Sequence, residues 1–239
     1  MSNQPFEIRL QKMFAFLRSL APPILCWLIF MSVFRFITWF AEPSIFQLVA
    51  REDLLMAFFV GFRFDLLVVG FLLIPVVVVA EALAILGFWN LNLEKSIKVA
   101  LSVLWSIVVL FSYLDFLFYF QFHRRWTWFD AQLSGLQFIF DGWKAMEMRV
   151  SVMTGLLVLG LWIVGGRQVE RTHSLFVEGR HPQNWQKALM LLLPILVVGL
   201  MARGTVTPHH LERRHSQISG FAPLNELAIN VLWAFDKQP

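Results

Sequence analysis

Five apolar stretches dominate this chain, and the charged residues inside them share one depth. The stretches run roughly from Leu20 to Phe40, Met56 to Val79, Val99 to Phe120, Val150 to Gly166 and Leu189 to Thr205. A helix rises about 1.5 Å per residue, so a hydrocarbon core of about 30 Å needs about 20 apolar residues, with about 17 as the lower bound. In lipid a spanning segment must satisfy its own backbone N–H and C=O groups, which a helix does. The expected fold is an all-α integral membrane protein with five transmembrane helices and amphipathic helices at the outer interface.

Composition agrees. Hydrophobic residues make up 58% of the chain and charged residues only 15%, with a mean hydropathy of +0.64, which excludes an ordinary soluble domain. The 25 Phe and 10 Trp suit a lipid-solvated protein, with Trp expected at the two interfaces. A single cysteine, Cys26, excludes a disulfide framework within one chain. The formal charge of +4 comes without a Lys/Arg run, so nucleic acid is not an expected partner.

The N-terminus reads as a signal anchor. Arg9, Lys12 and Arg18 precede an apolar run too long for a signal-peptide core, and Ile37–Ala41 offers no small-x-small cleavage site. Pro75 and Pro194 are expected to kink the second and fifth spans. With the N-terminus inside, the cytoplasmic segments carry Arg9, Lys12, Arg18, Lys95, Lys98, Arg167, Arg171, Arg180 and Lys187. The outer loops carry Arg51, Arg124, Arg125, Lys144 and Arg149. That bias favours a cytoplasmic N-terminus and an outward C-terminus. Residues 1–205 then form the membrane domain and 206–239 an extracytoplasmic tail.

Two further segments are amphipathic. Between Arg124 and Met148, aromatic residues (Trp126, Trp128, Phe129, Phe138, Phe140, Trp143) alternate with polar ones, as in helices lying in the outer interface. In the tail, Leu224, Leu227, Ala228, Val231, Leu232 and Phe235 recur at helical spacing after Pro223. This predicts a short helix resting on the membrane or on a partner.

Arg35, Arg63, Asp65 and Asp115 fall together in the outer half of the threaded bilayer. Charge at such depth costs about 2.5–3.5 kcal/mol per residue on insertion scales, so the cluster is the candidate site. Two arginines balance two aspartates, which allows an interhelical salt-bridge network. Arg63 and Asp65, two residues apart on one helix, point about 200° apart and cannot share a partner. An arginine left over from such pairing can hold a lipid phosphate bidentately, with Arg124 and Arg125 at the mouth. A proton or ion path is the third reading. His209, His210 and His215 lie in a polar juxtamembrane stretch with Glu212 as the nearby carboxylate, and read as solvated rather than metal-binding. No Walker loop, nucleophile elbow, HExxH or cysteine pair is present, so no catalytic residue, metal ligand or cofactor site is assigned.

Gly61-Phe62-Arg63-Phe64-Asp65-Leu66 resembles the G-x-R-F-D-L signature in membrane domains of lipoteichoic acid synthase-like proteins, members of the sulfatase and alkaline-phosphatase superfamily. Tyr113-Leu114-Asp115-Phe116, Ala202-Arg203-Gly204-Thr205 and Pro223–Asn230 are similar to recurrent segments there, in the same order and spacing. The resemblance implies a multi-pass protein of the bacterial cytoplasmic membrane. It also implies transfer of phosphoglycerol, or a related phospho-alcohol, from an anionic phospholipid to an envelope polymer or glycan. In that family a large extracytoplasmic domain, with a threonine nucleophile and a divalent metal (typically manganese), does the chemistry. The present sequence reaches Pro239 about where that domain would begin, so no catalytic residue carries over. The expected function is a membrane-anchoring, head-group-binding domain served by a separately encoded or missing catalytic domain. Two alternatives are a scaffold that recruits an envelope protein, and a small transporter.

Overall fold

The computed structural model describes residues 5–47, 49–127, 130, 140–141, 144, 148–171, 183–204, 213–230 and 232; the side chains of 148–153 and 213–214 are outside that description. The elements in chain order are α1 (Phe6–Ser19), α2 (Ala21–Ala41), α3 (Pro43–Phe46), α4 (Arg51–Ile85), α5 (Leu91–Phe122), α6 (Met148–Glu170), α7 (Asn184–Arg203), a 3₁₀ turn η1 (Arg213–Ser216) and α8 (Ala222–Ala228). No strand occurs among the described residues. The protein is an all-α membrane protein.

Four stretches are long and apolar enough to cross a membrane: Phe6–Ala41, Arg51–Ile85, Leu91–Phe122 and Asn184–Arg203. They coincide with the first, second, third and fifth expected spans. The fourth expected span is helix α6, whose 23 residues rise about 34 Å. Several helices outrun their apolar runs. The 35 residues of α4 extend about 52 Å, because a hydropathy window marks only the part in lipid while the helix continues until a stop signal. Helix α5 starts where the Asn90 side chain accepts from Leu93 N at 2.9 Å. It stops at left-handed His123, whose φ is 52°. Helix α7 opens with a reciprocal Gln183–Gln186 cap and closes on left-handed Gly204. Both α4 and α7 continue through their prolines.

Helix α4 is the hub. Half of its apolar window is covered by protein, against 11% for α7, so α7 sits at the periphery with most of its surface left for lipid. Alongside α4 lie α7, α2, α1 and α8, while α5 packs on α6 and α2. At the α4–α7 crossing a Cβ on Gly70 would strike the backbone of Met201 and Ala202. Small residues at such a crossing bring two backbones close enough for dispersion to act, the main attraction available between helices in lipid.

Trp27, Trp89 and Trp105 are buried in protein. Trp105 stacks on Trp27 at 5.5 Å and donates Nε1 to the Trp162 carbonyl at 3.0 Å. Its ring fits because Gly165 has no side chain. A satisfied indole N–H removes the reason for this ring to seek the interface.

The segment before the first span is helix α1, with Leu10, Met13 and Phe16 wholly buried. Lys187 at the start of α7 pairs with Glu7 at the start of α1, at 2.6 Å. Lys98 at the start of α5 donates to the Glu170 carbonyl at the end of α6, at 3.3 Å. These contacts set the start of α1 beside the start of α7, and the first turns of α5 beside the end of α6.

Candidate functional site

The G-x-R-F-D sequence gains a physical reason from its helix. Gly61 and Asp65 are one turn apart on α4 and face α2, where Arg35 is 4% exposed and Asp65 fully buried. Arg35 grips Asp65 with both terminal nitrogens, Nη1 to Oδ2 at 2.9 Å and Nη2 to Oδ1 at 3.0 Å. A Cβ on Gly61 would land on that guanidinium, so glycine is what lets the fork lie across the helix. Phe64 is fully buried beside it.

Arg35 also donates to the tail: Nε reaches the Leu227 carbonyl at 2.9 Å. Asp65 Oδ1 also accepts from Asn230 Nδ2 at 2.7 Å. Helix α8 therefore lies against α4 and α2 of its own bundle, with Leu224, Leu227 and Ala228 buried. It ends at Ala228, shorter than its hydrophobic period suggests; Val231 and Phe235 lie outside the described residues. Asn225 organises the approach to it, accepting from Ile218 N and Ser219 N at 2.9 and 3.1 Å.

A second buried pair mirrors the first. Asp115 on α5 accepts from Arg125 Nη1 and from Trp126 N at 2.8 Å. Arg125 then donates Nε to the Glu226 carbonyl at 2.9 Å, and its backbone N to Glu226 Oε2 at 3.1 Å. Burial works against the charge on Arg125, yet Asp115, with help from Tyr119 and Glu226, carries its pKa above the ordinary arginine value. Two arginines from different elements thus end on consecutive carbonyls at the C-terminus of α8, the negative end of a helix.

Arg35, Asp65, Asp115 and Arg125 surround one small cavity with Met31, Phe34, Ser112, Ile229 and Asn230. Its volume of about 20 Å³ admits about one water, and no head group.

The other two candidates stand apart. Arg63 faces α7 and donates Nε to the Gly204 carbonyl at 3.2 Å. It is half-buried, and its two Nη groups have no partner among the described residues. Arg124 pairs bidentately with Asp130, at 2.7 and 2.6 Å, over the rings of Phe118 and Phe122. Burial would raise the pKa of Asp130, but the hydrogen bonds from Arg124 and Thr127 outweigh it and hold the group below the usual carboxylate range.

The structure thus assembles Arg35, Asp65, Asp115 and Arg125, and separates Arg63 and Arg124 from them. Glu226 and Asn230 enter as partners that residue-type reasoning did not single out, although both lie in the Pro223–Asn230 segment. Glu81, in the last two turns of α4, is a buried carboxylate whose Oε1 has no partner among the described residues; it lies just past the end of the second expected span. Of the interfacial aromatics, Trp126 is buried and Phe140 exposed; Trp128, Phe129, Phe138 and Trp143 lie outside the described residues, as do His209 and His210. No set of three His, Cys, Asp or Glu side chains fit to hold a metal occurs among the described residues. Comparison with known proteins finds no matching family model, no matching curated protein and no matching solved structure.

Proposed function

We propose that this chain is the membrane domain of a lipoteichoic acid synthase-like phosphoglycerol transferase, with its N-terminus on the cytoplasmic side of a bacterial inner membrane. It holds the head group of an anionic phospholipid at Arg63 and leaves the transfer chemistry to an extracytoplasmic catalytic domain. One observation carries the lipid site: Arg63 is a half-buried guanidinium in the outer half of α4 with both Nη groups unengaged among the described residues. Arg35 and Arg125 are neutralised by buried carboxylates and also spend Nε on the tail. Arg63 is therefore the arginine of the cluster with no described carboxylate partner, and both its Nη groups are left to offer a phosphate.

Phospholipid retained through purification tests this. A charge-assisted hydrogen bond contributes about 1.5–3 kcal/mol, and half-exposure points to the lower end, so Arg63→Ala should weaken phosphatidylglycerol retention about tenfold. Lys95→Ala, an exposed site at the opposite end of the bundle, should leave it unchanged. Equal retention in both variants overturns the reading and favours the scaffold, which predicts a copurifying protein and no lipid preference. A transporter needs a polar route across both leaflets. Every α4 residue from Leu66 to Ala80 is apolar, which separates Asp65 from Glu81 by about 24 Å of helix.

A further inference from the structure

Helix α2 stops because its next residues cannot continue it. Pro43 disfavours a helical Glu42, which sits at φ −121° and ψ 55°, and the chain restarts as the single turn α3 with Phe46 buried. Phe46 meets Phe221 of the tail edge-on at 6.3 Å. Between α3, the last turns of α2 and the first half of α6 lies a hollow of about 820 Å³, lined by Ile37 and Phe40, Pro43 and Phe46, and Thr154 and Leu157. Trp39, Ala41 and Gln47 complete its described walls. Trp39 packs edge-on against Phe36, and three residues further on Glu42 faces His123 at 3.9 Å. An aromatic ring just before a charged group marks the membrane interface, so the hollow begins at the lipid boundary.

We infer that this hollow holds a hydrocarbon chain of a membrane lipid. Its volume falls in the range of about 300–1,000 Å³ found for small-molecule sites. Water is a poor filling, since each molecule needs about two to four polar partners and the described lining offers only Thr154, Gln47 and the Trp39 N–H. An empty hollow forfeits dispersion along every wall. A partner helix fits badly: with side chains it is about 10–12 Å across, so at most about two of its turns would enter. A methylene chain is thin and flexible, and the surrounding lipid supplies it all round the bundle. No Lys or Arg stands among the described lining residues, and Glu42 at the rim already faces His123. The site therefore selects by chain and not by head-group charge. It is separate from the head-group site proposed at Arg63, whose neighbour is α7, and stands without it.

Photo-cross-linking of the intact chain in lipid nanodiscs tests it. The probe is phosphatidylcholine with a diazirine in one acyl chain, and labelled peptides are read by mass spectrometry. Labelling of Ile37–Gln47 and Thr154–Leu157 should exceed, several-fold, that of Leu192, Leu196 and Leu200, exposed residues of α7. Those leucines report ordinary lipid contact. Ala41→Phe and Leu157→Trp fill the hollow from its α2 and α6 walls, and each should bring its labelling down to the α7 level while α7 stays as it was. A phosphatidylglycerol probe should give the same pattern. The Arg63→Ala variant should keep it, so failure of the head-group site and failure of this one are told apart. Labelling no higher than on α7 overturns the inference, as does labelling that both filled variants retain. Cross-linked dimers with no lipid adduct in the hollow overturn it in favour of a second copy of the chain, and enrichment confined to phosphatidylglycerol overturns selection by chain.

Discussion

Replacing Asp65 by Leu strands the Arg35 guanidinium in the bundle interior. Both side chains are almost fully buried, at 3% and 0% exposure, so solvent screening gives little relief. Removing one partner of a buried, hydrogen-bonded ion pair costs about 3–5 kcal/mol, most of it from the charge left behind. Replacing both, with Arg35→Met and Asp65→Leu together, also removes that charge and so recovers most of that cost. The double variant still loses the Arg35–Leu227 and Asn230–Asp65 bonds to the tail, each a charge-assisted bond of about 1.5–3 kcal/mol in gross terms. The expected order is therefore wild type above the double variant above Asp65→Leu, the last two about 2 kcal/mol apart. Reversible unfolding in mixed micelles reads the order, and proteolysis of the tail reads the loosened docking that both variants share. A double variant as unstable as Asp65→Leu would refute the reasoning, since it would mean that the stranded charge is not what the single change costs.

Further outcomes follow from the packing. Gly70→Ala should push α7 off α4 and cost about 1–3 kcal/mol, as overpacking does. Gly155→Ala, with open space around the added Cβ, should be neutral or slightly stabilising in the same unfolding assay. Trp105→Phe keeps the ring stack but loses the bond to Trp162, and should lower stability by about 0.5–1.5 kcal/mol. The Arg124–Asp130 loop should respond to acid. Asp130 has a folded pKa below its unfolded value of about 3.9, so its contribution is complete above the unfolded value and disappears as pH falls through the folded one. Exchange at Thr127 N, which donates to Asp130 at 3.0 Å, corrected for its intrinsic pH dependence, should show lost protection only in that acid window; Asp130→Asn should abolish the pH step.

Much of the architecture was legible because it depends on local properties. Apolar run length marked α2, α4, α5 and α7, and the two-residue offset between Arg63 and Asp65 already required them to face different neighbours. They do, with Asp65 toward α2 and Arg63 toward α7. The helical period of Leu224, Leu227 and Ala228 marked α8 before its receptor was visible. The core tryptophans and Glu81 were not legible, since composition cannot tell a lipid-facing position from a protein-facing one on a helix apolar all round.

The pairings belong to the tertiary structure. Balanced charges at one depth permit several sets of ion pairs, and only the helix order brings Arg35 to Asp65 and Arg125 to Asp115. The tail's role is less visible still. What receives Arg35, Arg63 and Arg125 is the backbone carbonyls of Leu227, Gly204 and Glu226, and every residue in any sequence carries a carbonyl. Hydropathy and spacing are written in side chains and can be read along the chain. A receptor built from backbone has no such signature, and exists only once the fold has placed it.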